Sequence, residues 1–201
     1  MVDATLIIAG AVLLLSTRTT QMLIGYAVLA VTVAVFIAPA ALGSPLSLAL
    51  FVVSTLLKVV VAPLGILAFV RANPKAGNLR PSLAAPVRLL VVVAFALVAH
   101  GAVVPGLGNG TLQSVMVYIV LCGVGILIVH RNLLSHVIGL LVLGTGVTLA
   151  GALLAPTLPE SIELGATFDA LVATFIGLAL VRAFFAHNAL LDVDALRSLR
   201  G

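Results

Sequence analysis

The stretch that decides the fold is IELGATFDALVATFIGLALVRAFFA, residues 162–186, an apolar run with one carboxylate, Asp169, set in its interior. At a rise of roughly 1.5 Å per residue, about 20 apolar residues cross a hydrocarbon core of roughly 30 Å, so the stretch is a transmembrane helix. Asp169 lies about two turns in. An ionised aspartate near a helix centre costs roughly 2.5 to 3.5 kcal/mol on insertion scales, so it must face protein, water or a counter-charge. It is the first candidate site residue.

The rest of the chain has the same character. Of its 201 residues 63% are hydrophobic and only 8% charged, with a mean hydropathy of +1.35. A soluble domain of this length cannot cover so much apolar surface, which makes the chain an all-α, polytopic membrane helical bundle. The segments between apolar runs are too short for a soluble catalytic domain. The net charge of +4 comes with no basic stripe interleaved with aromatics, so nucleic acid is not an expected partner and the basic residues are read as topology signals. One cysteine, Cys122, sits in an apolar helix and leaves neither an intrachain disulfide nor a cysteine metal site. Asp3 stands where a signal peptide would carry basic residues, and no small-residue cleavage motif follows, so the first apolar segment is expected to stay.

Seven apolar runs can be drawn: Ala4–Thr17, Met22–Ala38, Leu46–Val70, Ala84–Val104, Thr111–Val129, Leu133–Ala155 and Ile162–Ala186. The first is short for a full span. Glycine and proline punctuate the gaps, at Pro39, Gly43, Pro45, Pro74, Gly77, Pro81, Pro105, Pro156 and Pro159 among others. Lysine and arginine test the count, because they accumulate on the cytoplasmic side. Arg18 lies in the first loop, Arg71, Lys75, Arg80 and Arg88 in or beside the third, Arg131 in the fifth, and Arg182, Arg197 and Arg200 at or beyond the last helix. The second, fourth and sixth loops have none, and the sixth carries Glu160 and Glu163. The alternation puts the N-terminus outside and the C-terminus in the cytoplasm, and the C-terminal side is the same if the first run is dropped.

Apart from Asp169, one ionisable residue is stranded in mid-membrane. Lys58 is more than two turns from either end of its run, and Pro63, five residues on, removes a backbone donor and frees a carbonyl nearby. A lysine beside a locally broken helix suits proton handling; the plainer reading is that Lys58 pairs with a carboxylate on a neighbouring helix and fixes packing. His100, His130, His136 and His187 are dispersed near helix ends without metal-ligand spacing, and His136 alone is kept as a proton-relay candidate beside Asp169 and Lys58. Gly123, Gly125, Gly139, Gly144 and Gly146 predict close helix contacts. Gly106-Leu107-Gly108-Asn109-Gly110 lacks the strand and helix frame of a phosphate cradle and reads as a turn. The tail from Asn188 to Gly201 predicts a short amphipathic helix at the cytoplasmic interface, with Leu196 and Leu199 on one side and Arg197 and Arg200 on another.

His130-Arg131-Asn132-Leu133-Leu134, followed by Ile138-Gly139-Leu140, resembles the basic loop and second-helix start of the three-helix K subunit of complex I. Ile176-Gly177-Leu178-Ala179-Leu180, through Leu191-Asp192-Val193-Asp194 to Arg200-Gly201, is similar to that subunit's last helix and tail. The added N-terminal helices, with Lys58 before Val61-Ala62-Pro63-Leu64, and the close Leu199-Arg200-Gly201 resemble the E components of hydrogenase-4 and formate hydrogenlyase systems.

The resemblance implies a division into N-terminal transmembrane helices over residues 1–110, a K-subunit-like three-helix unit over 111–187 and a cytoplasmic tail over 188–201. It also implies a role. The chain is expected to be a non-catalytic membrane-arm subunit in a bacterial cytoplasmic membrane, linking antiporter-like subunits and, indirectly, a peripheral nickel–iron and iron–sulfur redox module, without a cofactor of its own. Redox energy would be coupled to proton or sodium movement through buried carboxylates and lysines. Two alternatives stay open: a purely structural linker in that arm, and the K-like C subunit of a multisubunit cation/proton antiporter. The K subunit has two membrane glutamates, and the aligned positions here are Leu141 and Ala173, with Asp169 one turn before the latter. Hydrogenase E components tend to carry a glutamate near the place of Gly144, and no carboxylate lies in the sixth span. The usual two-carboxylate relay is thereby halved, leaving Asp169 to work with Lys58 or with a partner's residue.

Overall fold

A computed structural model of the chain describes residues 2–73, 77–79, 81–102, 110–154, 164–165, 167–169 and 171–188. The helices are α1 (Val2–Leu15), α2 (Thr19–Ala41), α3 (Pro45–Leu56), α4 (Ala62–Ala72), α5 (Ala85–Gly101), α6 (Gly110–Val129), α7 (Leu133–Leu154) and α8 (Gly177–Asn188). Two π-helical segments complete the set: Leu57–Val61 joins α3 to α4 without a break, and Val172–Ile176 leads into α8. Every apolar run in the sequence that falls on described residues is therefore helical, with ends within a few residues of the expected ones. Four of these helical stretches, Thr19–Pro39, Pro45–Ala72, Gly110–Val129 and Leu133–Leu154, are long and apolar enough to cross a membrane. The first run is short here too, as Ala4–Leu15. The turn expected over Gly106 to Asn109 and the amphipathic tail beyond Asn188 lie outside the described residues.

Local chemistry sets the helix ends. The Ser44 hydroxyl accepts the Ser47 amide at 3.0 Å ahead of Pro45, a proline placed where its missing N–H costs nothing. Asn132 Oδ1 accepts the Leu134 amide at 2.9 Å and starts α7. Within the third run the helix does not simply stop at Pro63. The Pro63 ring would collide with the carbonyl four residues back in a regular α-helix, and the chain widens to a π-turn just before it, with the Ala62 amide bonding the Leu57 carbonyl.

The centre of the bundle is the pair α6 and α7, with α1 packed on α2 and α6, α2 on α7, α5 on α6 and α1, the α3–α4 rod on α2, and α8 on α7. Small residues let the central pair close. A Cβ added at Gly123 would meet the Leu143 backbone nitrogen at 2.8 Å, so only glycine permits this approach. Leu13, Tyr26, Leu29, Ile119, Cys122, Ile126, Leu134, Ile138 and Val142 fill the interior. The many exposed leucines and valines on the outer faces are the surface a bilayer or a neighbouring helix covers.

The first, third and fifth loops meet at one end of the bundle. The Leu79 amide donates to Thr17 O at 3.0 Å and the Ser82 amide to Val129 O at 2.8 Å, while Asn132 Nδ2 reaches Asn78 O at 3.3 Å. Arg18, Arg88 and Arg131 gather there with Arg71 of α4's last turn. This is the grouping of basic loops expected from the charge alternation, and it defines a basic end and an opposite, far end. Arg88 is more than a topology signal: it is 5% exposed, and its Nη1 donates to Leu15 O at 2.8 Å and Ser16 O at 3.3 Å. His130 Nε2 lies 3.2 Å from the same Ser16 carbonyl. Together they satisfy the orphan carbonyls that end α1.

Candidate functional site

Half-way along the bundle, three helices carry polar groups toward one place on α7. Lys58, in the first π segment, is 8% exposed and donates from Nζ to Thr148 Oγ1 at 2.9 Å. Thr148 in turn donates to Gly144 O at 2.8 Å. Asp169 comes from the other side, on the stretch that leads into the second π segment. A Cβ added at Gly144 would overlap Asp169 Oδ2, so the carboxylate lies directly over the bare glycine backbone. Asp169 and Lys58 interact electrostatically, and the two ionisable groups that the sequence leaves stranded are thus brought to adjacent turns of one helix. Asp169 is also exposed on its outer side, flanked by Phe168 and Leu171.

Tyr26 of α2 completes the cluster. It is fully buried, and its hydroxyl lies near both Thr145 and the Asp169 charge. That hydroxyl makes no hydrogen bond of good geometry among the described residues; the Thr145 hydroxyl is turned to Leu141 O at 2.8 Å. Leu141, Thr145 and Thr148 recur at helical spacing on the buried face of α7. Leu141 and Ala173, the positions that the resemblance pairs with the K subunit's glutamates, are 3% and 7% exposed and belong to the apolar core.

The third candidate does not join them. His136 is eight residues from Gly144 along α7, about 12 Å at 1.5 Å per residue, and its Nδ1 is engaged with Asn132 O at 2.8 Å. It belongs to the basic end, beside His130. The His130 ring is held below its ordinary pKa, first by burial and then, against the pull of its hydrogen bond to Ser16, by the nearby Arg88.

Sequence reasoning missed Tyr26, Thr145 and Thr148. A signal existed in the two threonines, which share a face with Leu141; Tyr26 carries none that separates it from a core aromatic. Among the described residues no three histidine, cysteine, aspartate or glutamate side chains group as metal ligands. A larger cavity of about 520 Å³ lies near the far end between α1, α5 and α6. Two of its polar side chains are already used, Gln113 Nε2 on Ala102 O at 2.8 Å and Tyr118 Oη on Ile7 O at 3.2 Å.

What the cluster can do follows from its parts. A carboxylate and an ammonium in a low-dielectric span stabilise each other's charged forms, and separating them favours the neutral forms. A proton can therefore be held or released according to how close the two stand. Comparisons with known proteins cover α7 and Asp169, the C-terminal part of this site. Residues 111–201, which include α6, α7, the second π segment and α8, match the family model described as NADH-ubiquinone/plastoquinone oxidoreductase chain 4L. Hydrogenase-4 component E of Escherichia coli (strain K12) and that of Shigella flexneri are each 28% identical to the chain over 130 residues. That match takes in 64% of this chain and 60% of each relative, less than two thirds of their length. No solved structure is significantly similar. The chain is a polytopic membrane protein similar to hydrogenase-4 component E over 64% of its length, and its residues 111–201 match the family model of NADH-ubiquinone/plastoquinone oxidoreductase chain 4L.

Proposed function

We propose that the chain is a non-catalytic membrane-arm subunit of a complex I-like or hydrogenase-4-like assembly, and that Lys58 and Asp169 form its proton- or sodium-handling pair. The observation that carries this reading is the convergence of the two mid-membrane charges on Thr148 and Gly144 of α7. Two charges retained at such a depth are costly to insert and have use where an ion must pause. The similarity to hydrogenase-4 component E and the chain 4L match of residues 111–201 supply the kind of assembly. Its neighbours in this reading are antiporter-like membrane subunits and, at one remove, a redox module holding the nickel–iron and iron–sulfur centres. The exposed outer side of Asp169 favours a membrane partner over lipid at that point. The basic end faces the cytoplasm of a bacterial cell, and the tail from residue 188 lies on that side.

A second reading has a specific observation behind it. Gly144 and Leu141 leave the sixth span without a carboxylate, as a linker that only braces its neighbours would. The experiment that separates the two is proton pumping by the intact assembly in vesicles with Asp169→Asn. Redox turnover that persists while pumping falls steeply supports the translocation role; unchanged pumping with a correctly assembled complex makes the chain a structural linker. A gene neighbourhood with a nickel–iron hydrogenase-like large subunit separates both from a cation/proton antiporter.

A further inference from the structure

The rod formed by α3, the first π segment and α4 is apolar on most of its surface, yet its inner face carries a polar line. Ser47, Ser54 and Lys58 are 1%, 3% and 8% exposed, and their spacings of seven and four put all three on one face of the helix. That face looks onto α2. Where the two helices part, at the level of Lys58 and one to two turns beyond it toward the far end, there is a cavity of about 20 Å³. It is lined by Ala30 and Ala34 of α2, Ser54, Thr55 and Lys58 of the rod, and Thr148 of α7. A cavity of roughly 10 to 15 Å³ by this measure admits one water, provided it finds two or more polar partners. Lys58, Ser54, Thr55 and Thr148 supply them.

The two directions away from Lys58 differ. Toward the far end, the cavity continues between Ala30, Val33, Ala34 and Ile37 of α2 and Phe51 and Ser54 of α3, with Ser47 two turns beyond Ser54 on the same face. Toward the basic end, α2 presents Tyr26, Leu23 and Met22, all 6% exposed or less, and the rod presents Ile66 and Phe69 of α4, 0% and 5% exposed. On the far side a narrow cavity runs on from Lys58 past Ser54; on the basic side large buried side chains pack together.

We propose that the cleft between α2 and α3 is the water-access path to Lys58, open only toward the far end of the bundle, with Ser54 as the hydroxyl that holds its water. The path rests on the reading of Lys58 as an ion-handling group, and it gives that group a side. A proton leaving the Lys58 ammonium passes to the cleft water, leaving the neutral amine and a hydronium that departs past Ser54 and Ser47; the reverse transfer recharges the amine. Asp169, over Gly144 one turn from Thr148, exchanges protons with this cleft through Lys58.

The test is thiol accessibility in the assembled complex, in right-side-out and inverted membrane vesicles. Cys122 is fully buried and is replaced first, as Cys122→Ser, to give a chain without thiols. Single substitutions Ser54→Cys and Ala34→Cys then report on the cleft, and Val53→Cys, on the outward face of α3 at 53% exposure, reports on an apolar surface away from it. A permanently charged, membrane-impermeant methanethiosulfonate is added from one side and labelling is followed by the mass of this chain. The expected result is labelling at residues 54 and 34 at least tenfold faster than at residue 53, from the extracytoplasmic side only. Rates at both cleft positions equal to that at residue 53, or labelling from the cytoplasmic side, overturn the path. Ala34→Cys reads the same cleft where Ser54→Cys impairs assembly. Labelling needs no redox turnover, so a dry cleft beside a pumping defect in Asp169→Asn refutes the path alone. A wet cleft beside unchanged pumping in that variant refutes the ion-handling reading alone.

Discussion

Residue 144 and residue 169 compete for one place. A Cβ on Gly144 would overlap Asp169 Oδ2, so the carboxylate from the last span fills the volume in which a side chain from the sixth would stand. Three substitutions exploit this. Gly144→Asp puts a second carboxylate into the same space; at about 4 Å and an effective dielectric of about 20, the repulsion of two ionised groups is about 4 kcal/mol, to which overpacking adds about 1–3 kcal/mol. Asp169→Ala removes the native carboxylate and leaves Lys58 its hydrogen bond to Thr148. The combination Gly144→Asp with Asp169→Ala removes both the repulsion and the overlap and returns one carboxylate, now anchored on α7, one turn from Thr148. Each single variant is expected to lower proton pumping by the assembled complex at least tenfold, and the double variant to recover several-fold relative to either. The assay is acidification of inverted vesicles at matched redox turnover, with the amount of assembled complex determined in parallel. A double variant no better than the worse single one, in a complex that assembles normally, refutes the view that the position of the carboxylate, rather than the helix that carries it, is what matters.

The loop cluster at the basic end yields two further expectations, and the α6–α7 contact a third. Arg88→Leu removes the guanidinium that caps α1 through Leu15 and Ser16; a charged hydrogen bond is worth about 1.5–3 kcal/mol, and the loss should appear as a lower midpoint of thermal or detergent unfolding, with Arg88→Lys recovering only part. His130 is buried with its pKa held down, so the unfolded chain takes up a proton that the folded one refuses. Stability is then complete above the unfolded value of about 6.5 and falls as pH drops below it; unfolding at pH 7.5 and pH 5.5 should show this slope in the native chain and a flatter one in His130→Gln. Gly123→Ala drives a methyl into the Leu143 backbone, 2.8 Å from its nitrogen; separating α6 from α7 should cost about 1–3 kcal/mol, and an unchanged unfolding midpoint would show that the pair is looser than its packing.

How much of this was legible in the sequence depended on the kind of signal. Apolar runs and loop charges are read by the membrane itself, so the helices between Ala4 and Leu154 and the meeting of the Arg18, Arg88 and Arg131 loops follow from composition along the chain. Asp169 and Lys58 stood out because a charge in an apolar helix has no cheap structural use. Their convergence did not, since nothing in either run says which neighbour it faces. Thr145 and Thr148 gave only their shared face with Leu141 as a signal, because hydroxyls fit an apolar helix by bonding the carbonyl one turn back, as both do, and their local sequence is the same whether or not a lysine arrives; Tyr26 reads as a core aromatic. Arg88 was legible as a topology signal and not as a cap, because the carbonyls that it satisfies belong to residues more than 70 positions earlier.

The π segments bind these threads together. Lys58 lies inside one, and the other begins three residues after Asp169. A π-turn adds a residue to the helical turn, and the chain bears its poorer hydrogen bonding only where something is gained. Pro63 accounts for the first segment. No proline follows in the second, whose Thr174 hydroxyl is buried without a hydrogen bond among the described residues, so its widening has no local sequence cause. What it does is rotate the chain between Asp169 and α8, so that Asp169 can lie over Gly144 while Gly177 packs against Val137, where an added Cβ would come within 2.9 Å. A regular helix through residues 169–177 would turn one of these contacts away from α7. The second π segment is therefore the structural means by which the last span brings its carboxylate over the bare backbone of Gly144.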